Sequence, residues 1–175
     1  MRVINMYGGP GTGKSTTAAG LFYLMKLQHM EVELVTEYAK DLVWSQRHNM
    51  FTEQDYIFAK QNHKLRRLVM NGKVDWAVTD SPLIIGQFYT PKDFPGREHF
   101  LKFVDATFNS YNNVNIFLNR VKVYNPNGRN QTEKEAREID NQILGMLSSQ
   151  NVDFHVVDAD IDAPHKILEL VEALT

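Results

Sequence analysis

The 175-residue chain contains no cysteine. That excludes disulfides, thiolate metal sites and cysteine nucleophiles, and it fits a reducing setting. No run approaches the roughly 20 apolar residues of a membrane span. Met1-Arg2-Val3 leads straight into an apolar strand pattern, without the apolar core and cleavage site of a signal peptide. A cytoplasmic protein with no membrane partner is expected. Neither charge sign dominates: 19 basic residues face 21 acidic ones, for a net charge of −2. No global basic field marks a duplex-binding protein, which leaves only a local basic groove for nucleic acid. The six histidines show no H-E-x-x-H or other metal spacing, so they are read as structural or surface residues. Repeats, low-complexity segments and linkers are missing as well, and the length suits one domain over residues 1–175.

The strongest positive signal is Gly8-Gly9-Pro10-Gly11-Thr12-Gly13-Lys14-Ser15. It fits G-x-x-x-x-G-K-S, follows a strand-like run at residues 2–7 and precedes a helical pattern over about 14–29. Such a loop aims backbone amides and a helix N-terminus at phosphate. Lys14 suits the terminal phosphates, Thr16 the alpha phosphate, and the Ser15 hydroxyl a magnesium ion. ATP and Mg2+ are therefore the expected cofactors.

Strand patterns recur at 32–35, 76–79, 114–118 and 154–157, each separated by helical patterns. This is an α/β alternation with a parallel sheet and helices on both faces. Thr52 and Asp55 resemble a capping box for a helix reaching about Met70, and Thr132-x-x-Glu135 matches one fully. Ala136, Ile139, Ile143 and Leu147 then form an apolar stripe. Asp162 is expected to cap a last helix with Ile167, Leu168, Val171 and Leu174 inward.

Ligands of such sheets lie beyond the carboxyl ends of the strands. Glu37 and Asp80 both fall there. Either could be the general base for an acceptor hydroxyl, and Asp80 could instead serve the metal. Arg120, Arg129 and Arg137 surround a turn-rich loop and are candidates to neutralise a transferred phosphoryl group. Arg137 could equally pair with Glu133 or Glu138. Tyr38, Trp44, Phe51, Tyr56, Phe88 and Tyr89 are divided between core packing and stacking on an acceptor base. Lys60, Lys64, Arg66 and Arg67 form a basic helix surface.

These residues resemble the small P-loop kinases of the nucleoside and nucleotide kinase group. More narrowly, the chain is similar to phage-type AAA kinases related to nicotinamide-riboside kinases. The markers are Gly8–Ser15, Thr36-Glu37-Tyr38-Ala39-Lys40, Thr79-Asp80-Ser81-Pro82 and Gly128-Arg129-Asn130-Gln131-Thr132. The resemblance implies a five-stranded parallel sheet in the order 2-3-1-4-5 and a lid at about 120–135. It implies that Arg120 flanks the adenine, that Arg129 reaches the phosphates, and that Asp158, Ala159, Asp160 and Pro164 line the base. It also implies a nucleoside, a nucleotide or a modified DNA base as acceptor, with 5-hydroxymethyluracil in phage DNA the most specific candidate. A nucleotide-dependent ATPase switch acting on a protein partner is the alternative. The acceptor and the oligomeric state stay open at the level of sequence.

Overall fold

A computed structural model describes residues 1–124 and 132–174. Five strands make one parallel sheet: β1 (Arg2–Tyr7), β2 (Val32–Val35), β3 (Trp76–Thr79), β4 (Asn112–Asn119) and β5 (His155–Asp158). Their order is β2-β3-β1-β4-β5, as the resemblance implied. The helices are α1 (Lys14–Leu27), α2 (Tyr38–Trp44), α3 (Gln54–Asn71), α4 (Ile85–Tyr89), α5 (Arg97–Asn109), α6 (Glu133–Ser149) and α7 (Ala163–Glu172). A single 3-10 segment, His48–Thr52, joins α2 to α3.

The inner strands are buried on both faces, which is why they read as apolar runs rather than alternating ones. Ile4, Met6, Ile116 and Leu118 pack against α1 and α7. Val3, Tyr7, Ala77 and Phe117 point to the other face and pack with residues of α3, α5 and α6. One polar ladder runs through this second layer. Asn5 donates to Asn113 at 2.9 Å and to Asn115 at 3.1 Å, and the Tyr7 hydroxyl donates to Asn115 at 3.1 Å. These bonds satisfy groups that burial would otherwise penalise.

Element ends show where local signals held. Thr132 and Glu135 form the full capping box of α6. Gly72 closes α3 in the left-handed conformation, at φ 68°. The Thr52 cap does not form. Its hydroxyl donates backward to the Asn49 carbonyl at 3.3 Å, inside the 3-10 turn, and Glu53 stands at the N-cap of α3. The intervening turn uses up the hydroxyl before the helix begins. Asp162 is the N-cap residue of α7 but makes no side-chain cap bond there, and Leu174 lies past the helix end, 44% exposed. Trp44, one of the aromatics divided between core packing and base stacking, is 83% exposed and does not pack in the core, since Leu42 is the buried residue of α2.

The order of the sheet places β1 between β3 and β4. A crevice opens beyond the carboxyl ends of these strands, where successive connections leave to opposite sides. The P-loop and Asp80 emerge at that point.

Candidate active site

The P-loop leaves β1 with Gly8, Gly11 and Gly13 all at positive φ, between 76° and 140°. Only glycine adopts that region without strain. Gly13 is the N-cap of α1, and no side chain caps the helix or adds an acid to its first turn. The first amides of α1 are thus left to an anion. Ser15 and Thr16 lie in the exposed first turn.

Lys14 folds back over the loop, its Nζ donating to the carbonyls of Gly8 at 2.6 Å and Gly9 at 3.1 Å. Burial lowers its pKa, against the opposing pull of Glu37, Asp80 and Asp140; Arg120 adds to the lowering. Lys14 thus has carboxylates nearby while its hydrogen bonds go to the loop's own carbonyls.

Asp80 is buried and uses both oxygens. Ser15 Oγ donates to Oδ2 at 2.5 Å, and the Glu37 backbone N–H donates to Oδ1 at 2.9 Å. The second bond fixes the start of α2 against the end of β3. Lys40, one turn further along α2, donates to Ser15 Oγ at 2.9 Å. Hard oxygen donors from one hydroxyl and one carboxylate suit magnesium, which usually takes one or two carboxylates and completes its shell with water and phosphate. Ser15 and Asp80 fit that ion. Among the described residues there is no cluster of three His, Cys, Asp or Glu side chains that would build an all-protein metal cage.

Glu37 faces the same crevice. Burial raises its carboxyl above the ordinary glutamate value; Lys14, Lys40 and Lys64 oppose the rise and Asp80 adds to it. The Tyr89 hydroxyl is pushed up to about 12, by burial first and by the Glu37 charge second. Together with Lys14, Asp80 and Gly8, these two line a narrow throat next to the P-loop.

Beyond the throat lies a cavity of about 400 Å³ between α2, α3 and α4. Glu37, Ser81, Pro82, Ile85 and Tyr89 line both spaces, so the two are continuous. Phe51, Ile57 and Phe58 give the cavity apolar walls, and Gln54 and Gln61 give it amides. Its described lining contains no lysine or arginine. Of the aromatic set, Phe51 and Tyr89 reach the cavity. Phe88 packs into the second core layer, and Tyr38 and Tyr56 bond to each other through their hydroxyls at 2.9 Å. Lys64 of the basic surface is held by the Thr36 carbonyl at 3.0 Å.

The arginine side of the site differs from the expectation. Arg120 is buried beneath the P-loop rather than open to a base. Its Nε meets Asp140 Oδ2 at 2.9 Å, and one terminal nitrogen donates to the Pro10 carbonyl at 2.8 Å. Asp140, on α6, also accepts from the Gly9 amide at 2.5 Å. Gly9 lies so close to α6 that a Cβ would stand 2.8 Å from the Ala136 carbonyl and from Asp140 Oδ1. Arg120 and Asp140 therefore form a strut between α6 and the loop. Asp140 was missed from sequence, although it sits on the buried stripe of α6 with Ala136, Ile143 and Leu147. An acid on such a stripe is the signal that could have found it.

Arg137 is exposed and paired with Glu133 at 2.8 Å, the i,i+4 alternative. Arg129 lies outside the described residues. Asp158 accepts from Asn119 Nδ2 at 2.7 Å, and Asp160 accepts from Lys166 at 2.7 Å. Ala159 is buried, and Pro164 packs on Gly20 of α1, where a Cβ would come within 2.8 Å of its ring.

A family described as AAA domain matches residues 3–163. None of the curated proteins matches the chain. Many solved structures share its fold, two of them structures of the NadR protein. The NadR protein in complex with NR has a TM-score of 0.72 at 15% identity, over 98% of this chain and 51% of the other. The NadR protein in complex with NAD and AMP-PNP has a TM-score of 0.71 at 14% identity, over 98% and 49%. The chain spans about half the length of these structures.

Proposed function

This chain belongs to the AAA domain family, and we propose that it is a P-loop kinase using ATP and magnesium to phosphorylate a hydroxyl of a nucleoside-type acceptor. The observation that carries this reading is the shared wall of throat and cavity. Glu37 stands between Lys14 on one side and, on the other, a ring-sized cavity whose described lining holds no lysine or arginine. An ATPase switch does not need such a second chamber. The NadR structures, one with NR and one with an ATP analogue, share this chain's fold and support a two-ligand site.

The roles follow from the geometry. The P-loop amides and Lys14 bind the triphosphate. Ser15 and Asp80 would hold magnesium, which supplies charge neutralisation to the phosphates when bound. Asp80 has both oxygens engaged, one by the Ser15 hydroxyl and one by the Glu37 backbone N–H. Glu37 is then the general base. Its raised pKa brings it nearer the operating pH, which favours proton transfer. It takes the acceptor hydroxyl proton as that oxygen attacks the terminal phosphate, and ADP leaves. Tyr89 helps to position the hydroxyl beside Glu37. Arg129 belongs to the phosphate side in this scheme, and Asp158–Asp160 with Pro164 to the adenine side.

A cavity lacking lysine and arginine favours an acceptor without its own phosphate. Uridine-type nucleosides rank above their monophosphates on this ground. The finer candidate, a 5-hydroxymethyluracil base in DNA, would place only the extruded base in the cavity. The test is transfer of labelled phosphate from ATP across nucleosides, their monophosphates and hydroxymethylated oligonucleotides. Transfer to free nucleosides above monophosphates is expected. Labelling of oligonucleotides alone moves the acceptor to DNA, and ATP hydrolysis with no acceptor labelled overturns the kinase reading.

A further inference from the structure

The cavity contains two buried glutamines with opposite availability. Gln61 is committed at both ends. Its Oε1 accepts from the Tyr38 amide at 2.9 Å, and its Nε2 faces Thr79 Oγ1 at 3.4 Å. Gln54 is committed at one end: its Nε2 donates to the Phe51 carbonyl at 2.7 Å. A backbone carbonyl can only accept, so this bond fixes the orientation of the amide. The end left to the cavity is the Gln54 carbonyl oxygen. Gln54 is itself only 6% exposed and lines the cavity in the first turn of α3.

Two of the polar groups offered to an acceptor, the Glu37 carboxyl and the Gln54 oxygen, can accept; the Ser81 and Tyr89 hydroxyls can donate or accept, and no lysine or arginine stands among the described lining residues. A ligand that meets Glu37 and Gln54 must bring donors to them. Its hydroxyl supplies one to Glu37. We propose that Gln54 is a specificity-determining residue whose Oε1 accepts from an N–H of the acceptor's ring or its substituent. The substrate class is then an unphosphorylated nucleoside bearing an N–H donor: the imide edge of a pyrimidine or a primary carboxamide. The flat walls of Phe51, Phe58 and Tyr89 suit either ring. This rests on the kinase reading for the location of the acceptor, but its test does not need phosphate transfer.

The experiment is calorimetric titration of the full chain with two matched pairs. One pair is uridine and 3-methyluridine. The other is a pyridine-carboxamide riboside and its N,N-dimethyl carboxamide. In at least one pair the N–H ligand binds about tenfold or more tightly than its methylated partner, because the mismatch leaves a buried carbonyl unpaired. In Gln54→Met, which keeps the chain length and removes the acceptor, that preference shrinks to within about threefold. The wild-type comparison stands even if the variant does not fold. Equal binding within both pairs, or binding of none of the four, overturns the proposal. A preference retained in folded Gln54→Met overturns the assignment to Gln54. Failure of the kinase reading looks different: the N–H preference holds while no phosphate is transferred.

Discussion

The two halves of the candidate site, donor and acceptor in the proposed kinase reading, are built on different physical terms. The donor half is a backbone cradle locked from behind by charge. Gly9, Pro10 and Lys14 are tied to Arg120, Asp140 and the loop's own carbonyls by bonds of 2.5 to 3.1 Å. The acceptor half is a side-chain chamber of apolar walls with two amides and one carboxylate. Under the kinase reading the triphosphate donor is constant, so its cradle can be rigid. An acceptor varies, and its chamber is written in side chains that can change without touching the loop.

The sharpest break in that contrast is Lys14→Ala. It removes the amine that bonds the Gly8 and Gly9 carbonyls and leaves the chamber lining intact. Phosphate transfer falls on the order of a thousandfold or more. Acceptor binding by calorimetry stays within about threefold, and the far-ultraviolet circular dichroism is unchanged. Transfer at the wild-type rate would remove the P-loop from the chemistry.

Next in size is the strut. Arg120 and Asp140 side chains are 3% and 12% exposed. Removing one partner strands a buried charge, so Asp140→Ala loses about 3–5 kcal/mol of stability. The variant Arg120→Met with Asp140→Leu loses less than the two single changes added together, because no charge is stranded. Urea unfolding reads both. Additive losses would show that the two residues act independently.

Glu37→Gln tests the boundary between the halves. Turnover falls on the order of a hundredfold with nucleotide binding kept, as for a general base. Asp80→Asn weakens the response to magnesium instead. A base must be deprotonated, so activity falls as pH drops through the Glu37 pKa. Burial has raised that pKa. The acidic limb of kcat/KM therefore lies above the ordinary glutamate value, and Glu37→Gln abolishes it. A limb unmoved in that variant assigns the base elsewhere.

The two halves also differed in how far they could be read from sequence. The loop was legible because its geometry depends on glycine and lysine at fixed spacing. The parallel sheet was legible because strands buried on two faces leave apolar runs. Glu37 and Asp80 stood out by their place at strand ends. The strut was not legible, since Arg120 and Asp140 are 20 residues apart and meet only once α6 is docked. The resemblance alone implied a base-flanking Arg120; in the structure its guanidinium bonds the Pro10 carbonyl and Asp140. The chamber was legible only as a region. Nothing in the local pattern separates Gln54, with one free end, from Gln61, with none. Thr52 misled because a hydroxyl near a helix start can serve the turn before it.

The smallest expected effect lies where α6, the helix behind the donor half, begins. Thr132 Oγ1 accepts from the Glu135 amide at 3.3 Å, and the Glu135 carboxylate accepts from the Thr132 amide at 2.7 Å. The Thr132 amide first, and then the Thr132 hydroxyl donating to the same carboxylate at 2.9 Å, hold the Glu135 carboxyl below the ordinary glutamate value. Thr132→Ala removes the hydroxyl, and the midpoint of thermal unfolding drops by about 2–4 °C at neutral pH. A group whose pKa is depressed on folding stabilises above its unfolded value, and loses that contribution as pH falls through its folded value. The gap between wild type and Thr132→Ala is therefore full at neutral pH and narrows below the ordinary glutamate pKa, as Glu135 becomes protonated. Acceptor binding should not move, because the cap lies on the donor side of the fold. A gap that stays constant through the acid range would mean that the cap works through the hydroxyl alone. A change in acceptor affinity would mean that α6 reaches the chamber as well as the loop, and the division between the two halves would fall.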